Sequence, residues 1–330
     1  MNEDNNIKDD LDFWATNSEE GGWNISSTDE GSQKMLEEED EKQIKIQTGS
    51  DVVDDYVYSE ETTDDERMIV NMGPQHPSTH GVLRLQVELE GEVVRRVKPV
   101  IGYLHTGMEK TGEELAYFQG PTNTTRMDYL SPLFNELVFS LTTEKLLDIE
   151  VPERAKAIRI LMTELNRISS HLVALATGGM DIGALSMMIF GFRERELILN
   201  FFEKTSGLRM NHNYIRPGGV AADLPDNWQK DIKEILKIIP EKLKDYDEML
   251  LDNPIWQGRL KNVGILTTEE CFAYGITGPS LRASGFSWDL RKTQPYSGIE
   301  NYEFEVPLLT DSDVFSRWRI KVLEIFESLK

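Results

Sequence analysis

Apolar positions along the chain follow two periods in succession. Residues 82–98, VLRLQVELEGEVVRRVK, alternate: Val82, Leu83, Leu85, Val87 and Leu89 lead to a turn at Glu90-Gly91, and Val93, Val94 and Val97 follow. Period two with a short Gly turn predicts an antiparallel hairpin, ended by Pro99 and a loop at Gly102. From Met108 the period becomes 3.6, predicting helices at 108–119 and 127–148 and a third from Pro152 to about Thr177. In the third, Ile158, Leu161, Leu165, Ile168, Leu172 and Leu175 form a seam with a second apolar flank at Ile160, Met162 and Val173, as expected of a buried bundle helix. Gly178-Gly179 is expected to break it. A further helix is predicted over 181–206, with Leu185, Ile189, Phe192, Leu199 and Phe202 on one side, then a loop at 212–225. A helix over 226–252 should kink at Pro240. Residues 262–310, rich in Gly, Ser, Pro and Thr, predict short strands or turns. An amphipathic helix from Asp311 still runs at Lys330 with no stop signal, so the pattern reads as cut there.

These elements predict an α+β, mainly α protein. It would have a helical bundle core over 108–330, interrupted at about 262–310, behind a small β hairpin region at 67–107. Long helices on short connections are antiparallel neighbours in such bundles. Charge sets residues 1–66 apart. They hold 22 Asp and Glu against four lysines, a net −18 of the chain's −23. Low hydrophobicity with high net charge cannot offset chain entropy, so 1–66 is expected to be a disordered acidic tail, either a solvated extension or a dock for a basic partner. No run approaches the roughly 20 apolar residues that span a bilayer, and the start resembles neither a secretory signal nor a transit peptide. The single cysteine, Cys271, excludes an intramolecular disulfide framework and any zinc site or cluster built mainly from this chain's thiolates. No nucleic-acid partner and no resident metal are expected.

One stretch carries candidate chemistry: Met72-Gly-Pro-Gln-His76-Pro-Ser-Thr-His80-Gly-Val-Leu-Arg84. Pro74 and Pro77 stiffen the loop and exclude an ordinary helix. A stiff loop entering a strand can hold an imidazole in a fixed place, and histidine exchanges protons near neutral pH. From the residues alone this is either a proton-handling or metal-binding loop, or a turn whose histidines satisfy backbone groups.

GPQHPSTHG followed by VLRL resembles the D-subunit family of NADH:quinone oxidoreductase, respiratory complex I. The likeness continues in order through IGYLHTGMEK (101–110), RMDYLSP (126–132), ELNRISSHLVALAT (164–177), DIGALSM (181–187), HNYIRPGGV (212–220) and LRASGFSWDLRKTQPYSG (281–298). Several long motifs in order are far more specific than one short pattern. The resemblance implies a quinone-reduction pocket formed with the complex's B subunit, with His80 and Tyr129 against the two quinone oxygens and Asp181 behind the histidine. Two donors there lower the cost of reducing a quinone to its dianion. Plainer roles also fit: Tyr129 as a buried tyrosine with one hydrogen bond, and Asp181 as a helix N-cap. The resemblance further places Arg126 and His171 near the terminal iron–sulfur cluster of a partner subunit, where His171 is otherwise a satisfied bundle histidine. His76, His105 and His212 are read as structural.

By the same resemblance, quinone is the substrate and this chain alone binds no cofactor. Electrons come from NADH through FMN and iron–sulfur clusters in other subunits, and their passage drives proton pumping. The B, C and H subunits are the expected partners, and the seat is peripheral, on the cytoplasmic side of a bacterial plasma membrane. The family is also related to the nickel–iron hydrogenase large subunit, but the matching region, Arg126-Met-Asp-Tyr-Leu-Ser131, lacks the Cys-x-x-Cys ligands nickel would need. The chain departs from the family at Thr106, where many relatives are basic, and it stops before a C-terminal segment that the family carries. A truncated, non-catalytic scaffold role in the same complex is therefore the second reading.

Overall fold

The computed structural model describes residues 67–330; the expectation for the tail at 1–66 lies outside them. Strands β1 (Arg67–Met72), β2 (Arg84–Glu90) and β3 (Val93–Val100) form one sheet in that order. The two-residue connection Gly91-Glu92 makes β2 and β3 an antiparallel hairpin, as the alternation predicts. Pro99 lies inside β3 instead of ending it. β3 is an edge strand of the sheet, the place where a strand proline is accommodated.

The compact body comprises Ile69–Leu89 and Val94–Lys330, and its core is helical. The predicted helix at 108–119 stops early, at the end of α1 (Met108–Glu114), and a second short helix, α2 (Gly120–Thr124), begins just beyond the predicted range. α3 (Pro132–Leu147) starts five residues later than its apolar pattern, after a turn at 127–131. α4 (Glu153–Asp181) lies between α3, α5 (Leu185–Ser206) and α11 (Val314–Leu329). Its seam residues Ile158, Leu165, Ile168, Leu172 and Leu175 are all buried, so the 3.6 period is a core face.

α4 does not break at Gly178-Gly179. It runs on to Asp181, and Ile182 N–H still donates to Gly178 O at 3.2 Å. The second glycine of the pair, Gly179, serves packing. A Cβ on Gly179 would stand 2.8 Å from Met187 Cβ, and one on Gly191 of α5 would stand 2.7 Å from Ala176 Cβ. Small residues on both helices thus let α4 and α5 approach closely.

α6 (Trp228–Leu250) contains Pro240 and remains one helix across it. α7 (Pro254–Leu260) follows. Residues 212–225, read as a loop, contain a small antiparallel ladder, β4 (Ile215–Arg216) with β5 (Gly219–Val220). Residues 262–310 contain no strand; among these described residues order comes from α8 (Thr268–Ala273), α9 (Gly278–Arg282), α10 (Leu290–Thr293) and a 3-10 turn at Ile299–Asn301. Local caps explain the difference. Thr267 and Glu270 form a reciprocal capping box on α8, and Asp289 caps α10. Such side-chain caps satisfy helix-start amides that no strand partner is present to take.

Candidate functional site

The loop before β2 is built to present one histidine. Gly73 has φ 82, and a Cβ there would collide with Leu83 O. Glycine is therefore required where the two ends of the loop meet. Between them Pro77–Thr79 forms a single 3-10 turn. His76 caps its start, Nδ1 accepting from Ser78 N–H at 3.1 Å, a structural role as the sequence suggests. The buried Thr79 hydroxyl donates to His76 O at 2.9 Å. His80 ends the turn with φ 51, a left-handed conformation that is uncommon for a residue bearing a Cβ.

His80 Nε2 lies 3.2 Å from Asp181 Oδ2, across 101 positions of sequence. Both side chains are close to half exposed, at 46% and 43%. Asp181 is not a helix N-cap. It is the last residue of α4, because that helix continues through the glycine pair. The turn behind it is clamped by Arg259 of α7, whose guanidinium donates to Ile182 O. The pair can therefore hold and pass a proton at a surface open to a ligand.

Arg126 and Tyr129 sit on the turn between α2 and α3. Asn166 of α4 holds that turn, donating from Nδ2 to Leu130 O at 2.9 Å and accepting from Leu133 N–H at 3.0 Å. Asn135 Nδ2 donates to Asp128 O at 3.0 Å. Arg126 donates to Thr122 O. Tyr129 is not the buried tyrosine of the plainer reading: 47% of its surface is exposed. The structure joins His80 to Asp181 directly and does not join Tyr129 to either by a hydrogen bond.

His171 is buried on α4, with Nε2 2.7 Å from Glu324 Oε2 of α11. Arg282 of α9 donates to the other oxygen of Glu324, also at 2.7 Å. Burial lowers the His171 pKa, against the pull of Glu324. Burial pushes the Glu324 carboxyl up, but the hydrogen bond from His171 and the Arg282 guanidinium prevail and draw it down to about 2. A neutral imidazole donating Nε2–H to a carboxylate satisfies both directions. His212 is also interior. Its Nε2 donates to Arg209 O at 3.0 Å, its ring packs edge-on to Phe202, and burial lowers its pKa to about 4.

Cys271, the one thiol, is buried. Among the described residues no group of three or more His, Cys, Asp and Glu gathers to hold a metal. No helix among them is long and apolar enough to cross a membrane.

The sequence reading missed Glu324 and Arg282, which fix His171, and the carboxylates of α3. Glu136, Ser140 and Glu144 recur every fourth residue and are all buried. That polar line within an apolar helix was the available signal, since fully buried acids are rare unless paired.

Comparison with known proteins follows the same lines. Residues 181–330 match the family model described as respiratory-chain NADH dehydrogenase, 49 Kd subunit. A Salinispora arenicola protein, named as the first of its NADH-quinone oxidoreductase D subunits, is 59% identical over 268 residues, 81% of this chain and 61% of its own length. The D subunit of Rhodococcus jostii is 59% identical over the same shares. That of Mycobacteroides abscessus is 54% identical over 290 residues, 87% of this chain and 67% of the relative. The chain thus spans about three-fifths of the length of the first curated relatives it matches.

Proposed function

Because this chain belongs to the family of respiratory-chain NADH dehydrogenase 49 Kd subunits, whose curated bacterial relatives are named as D subunits of NADH-quinone oxidoreductase, we propose that it supplies the quinone-reducing surface of such a complex. One observation carries the reading: an imidazole and a carboxylate from two separate motifs, 101 positions apart, meet at 3.2 Å on an accessible surface. A quinone that takes up two electrons and two protons becomes a quinol. His80 supplies a proton to one quinone oxygen, and Asp181 orients the ring and stabilises the imidazolium before transfer. Tyr129, exposed on its pinned turn, donates to the other oxygen.

In this reading the electrons originate from NADH and reach the pocket from FMN and iron–sulfur clusters held by other subunits. Arg126 and His171 face the terminal cluster, which a nearby cation stabilises in its reduced form. The B, C and H subunits are the neighbours, the seat is peripheral on the cytoplasmic membrane face, and quinone reduction is coupled to proton pumping.

The test uses the assembled complex. His80→Ala and Tyr129→Phe are each expected to lower quinone reduction by about 10²-fold, the typical share of a positioned proton donor. Asp181→Asn should lower it by roughly tenfold, since it leaves the imidazole in place. NADH oxidation by an acceptor that bypasses quinone should be unaffected. Normal quinone reduction in both His80→Ala and Tyr129→Phe would sink the assignment.

A further inference from the structure

Outside the residues just assigned, one buried carboxylate next to the candidate site is fully hydrogen-bonded: Glu136 on α3. Its side chain is fully buried, and both of its oxygens are used twice. Oε1 accepts from Thr125 Oγ1 and from Asn213 N–H, each at 2.6 Å. Oε2 accepts from Tyr214 N–H at 2.8 Å and Ile215 N–H at 2.9 Å. Thr125 immediately precedes Arg126, and Asn213–Ile215 lead into the β4–β5 ladder. Eight residues along α3, Glu144 repeats the device, accepting from Gly218 N–H at 2.8 Å and pairing with Arg159.

We propose that Glu136 is a positioning residue of the quinone site: its carboxylate ties the start of the Arg126–Tyr129 turn to residues 213–215 and so fixes where Tyr129 stands. This rests on the reading above. The chemistry of the site demands an acid. All four partners donate, and two oxygens with their lone pairs can accept all four, whereas an amide would set its own N–H₂ against two donors. Burial pushes the Glu136 carboxyl up, and the four hydrogen bonds oppose it.

The experiment compares Glu136→Gln, Thr125→Val, Thr125→Ser and Tyr129→Phe in the assembled complex. Two readouts are taken: KM and kcat for a soluble short-chain quinone, and amide hydrogen exchange over 125–131 and 213–215. Glu136→Gln should raise the quinone KM by about tenfold, the scale of a small misplacement, and speed exchange in both segments. Thr125→Val removes one donor and keeps the carboxylate, so it decides the matter where Glu136→Gln fails to assemble. It should raise KM by roughly threefold and loosen 125–131, and Thr125→Ser should restore both. Wild-type KM and exchange in Thr125→Val, or in an assembled Glu136→Gln, overturn the proposal. A silent Tyr129→Phe with faster exchange in the other variants would leave the tie intact and sink the quinone role of Tyr129 instead.

Discussion

Two adjacent glycines on α4 should respond in opposite senses to the same substitution. Gly178 and Gly179 lie in the last turn before Asp181, and each carries the helix-interior penalty of glycine, roughly 0.8–1 kcal/mol relative to alanine. Around Gly178 a new Cβ meets nothing within 4 Å, so Gly178→Ala should recover that amount and stabilise by about 0.5–1 kcal/mol. Around Gly179 the new Cβ lies 2.8 Å from Met187 Cβ and 3.1 Å from Met187 Cγ. Carbon pairs rest near 3.5–4.0 Å, so α5 must retreat by close to ~1 Å. Overpacking of that kind costs about 1–3 kcal/mol, which exceeds the propensity gain. Gly179→Ala should therefore destabilise by about 1 kcal/mol, and the two variants should differ by roughly 2 kcal/mol. Gly191→Ala, with Leu172 O at 3.1 Å as well as Ala176 Cβ at 2.7 Å, should cost at least as much as Gly179→Ala, because a backbone carbonyl cannot rotate away. Urea unfolding of the purified chain, followed by far-ultraviolet circular dichroism, measures all three. The same displacement moves the end of α4, so Gly179→Ala should also slow quinone reduction while Gly178→Ala does not. Equal stabilities for the two neighbours within about 0.5 kcal/mol, the usual span of surface changes, would refute the close-approach account of α4 and α5.

Two other perturbations follow from buried groups. His212 is held neutral in the fold, with a pKa near about 4 against an ordinary 6.5. The unfolded chain binds a proton that the fold refuses between those values, so stability from this residue is full above pH 6.5 and falls as pH drops toward 4. The shift corresponds to at most about 3 kcal/mol, and His212→Gln should flatten unfolding free energy over that window; an unchanged slope refutes it. Arg159 and Glu144 form a buried ion pair at 2.5 Å, so Arg159→Met should destabilise by about 3–5 kcal/mol by leaving a buried carboxylate without its counterion. Adding Glu144→Gln should return part of that loss, and an additive double variant would show that the pair does not couple.

What the sequence revealed and what it hid divide along a physical line. Among the described residues periodicity located every long helix, because burying one face imposes 3.6-residue spacing whatever the partner is. It misjudged α4 at its C-terminal end, because a glycine that admits a neighbouring helix and a glycine that stops a helix are the same letter. The difference is Met187, known only once α5 is in place. Residues 262–310 looked like strands or turns because Gly, Ser, Thr and Pro serve caps and loops equally well; Thr267 and Glu270 are a capping box already spelled in the sequence and overlooked there. In the candidate site, the motifs identified His80 and Asp181, and the structure brings these two together. Glu136 and Glu324 escaped notice because their partners are backbone amides at 213–215, or His171 and Arg282 far along the chain. Only the four-residue spacing of Glu136, Ser140 and Glu144 within an apolar helix hinted at buried carboxylates, those of α3.

The His80–Asp181 pair is better explained by use than by stability. A carboxylate at the C-terminal end of a 29-residue helix faces the negative end of the helix dipole, an arrangement disfavoured by about 0.3–1 kcal/mol. His80 holds a left-handed φ of 51, which costs about 1 kcal/mol or more for a residue with a Cβ. Their contact could offset these only weakly. Each side chain is more than two-fifths exposed, and exposed ion pairs contribute about 0–1 kcal/mol. Folding alone would therefore favour Asn or Gly at both positions. The surrounding structure instead enforces the unfavourable choice: Gly73 and Thr79 close the loop that holds His80, while Arg259 and the Gly179–Met187 contact fix the turn that holds Asp181. Local rules broken at two distant points, and broken so that an acid meets an imidazole at an accessible surface, support a proton-delivering role for the pair.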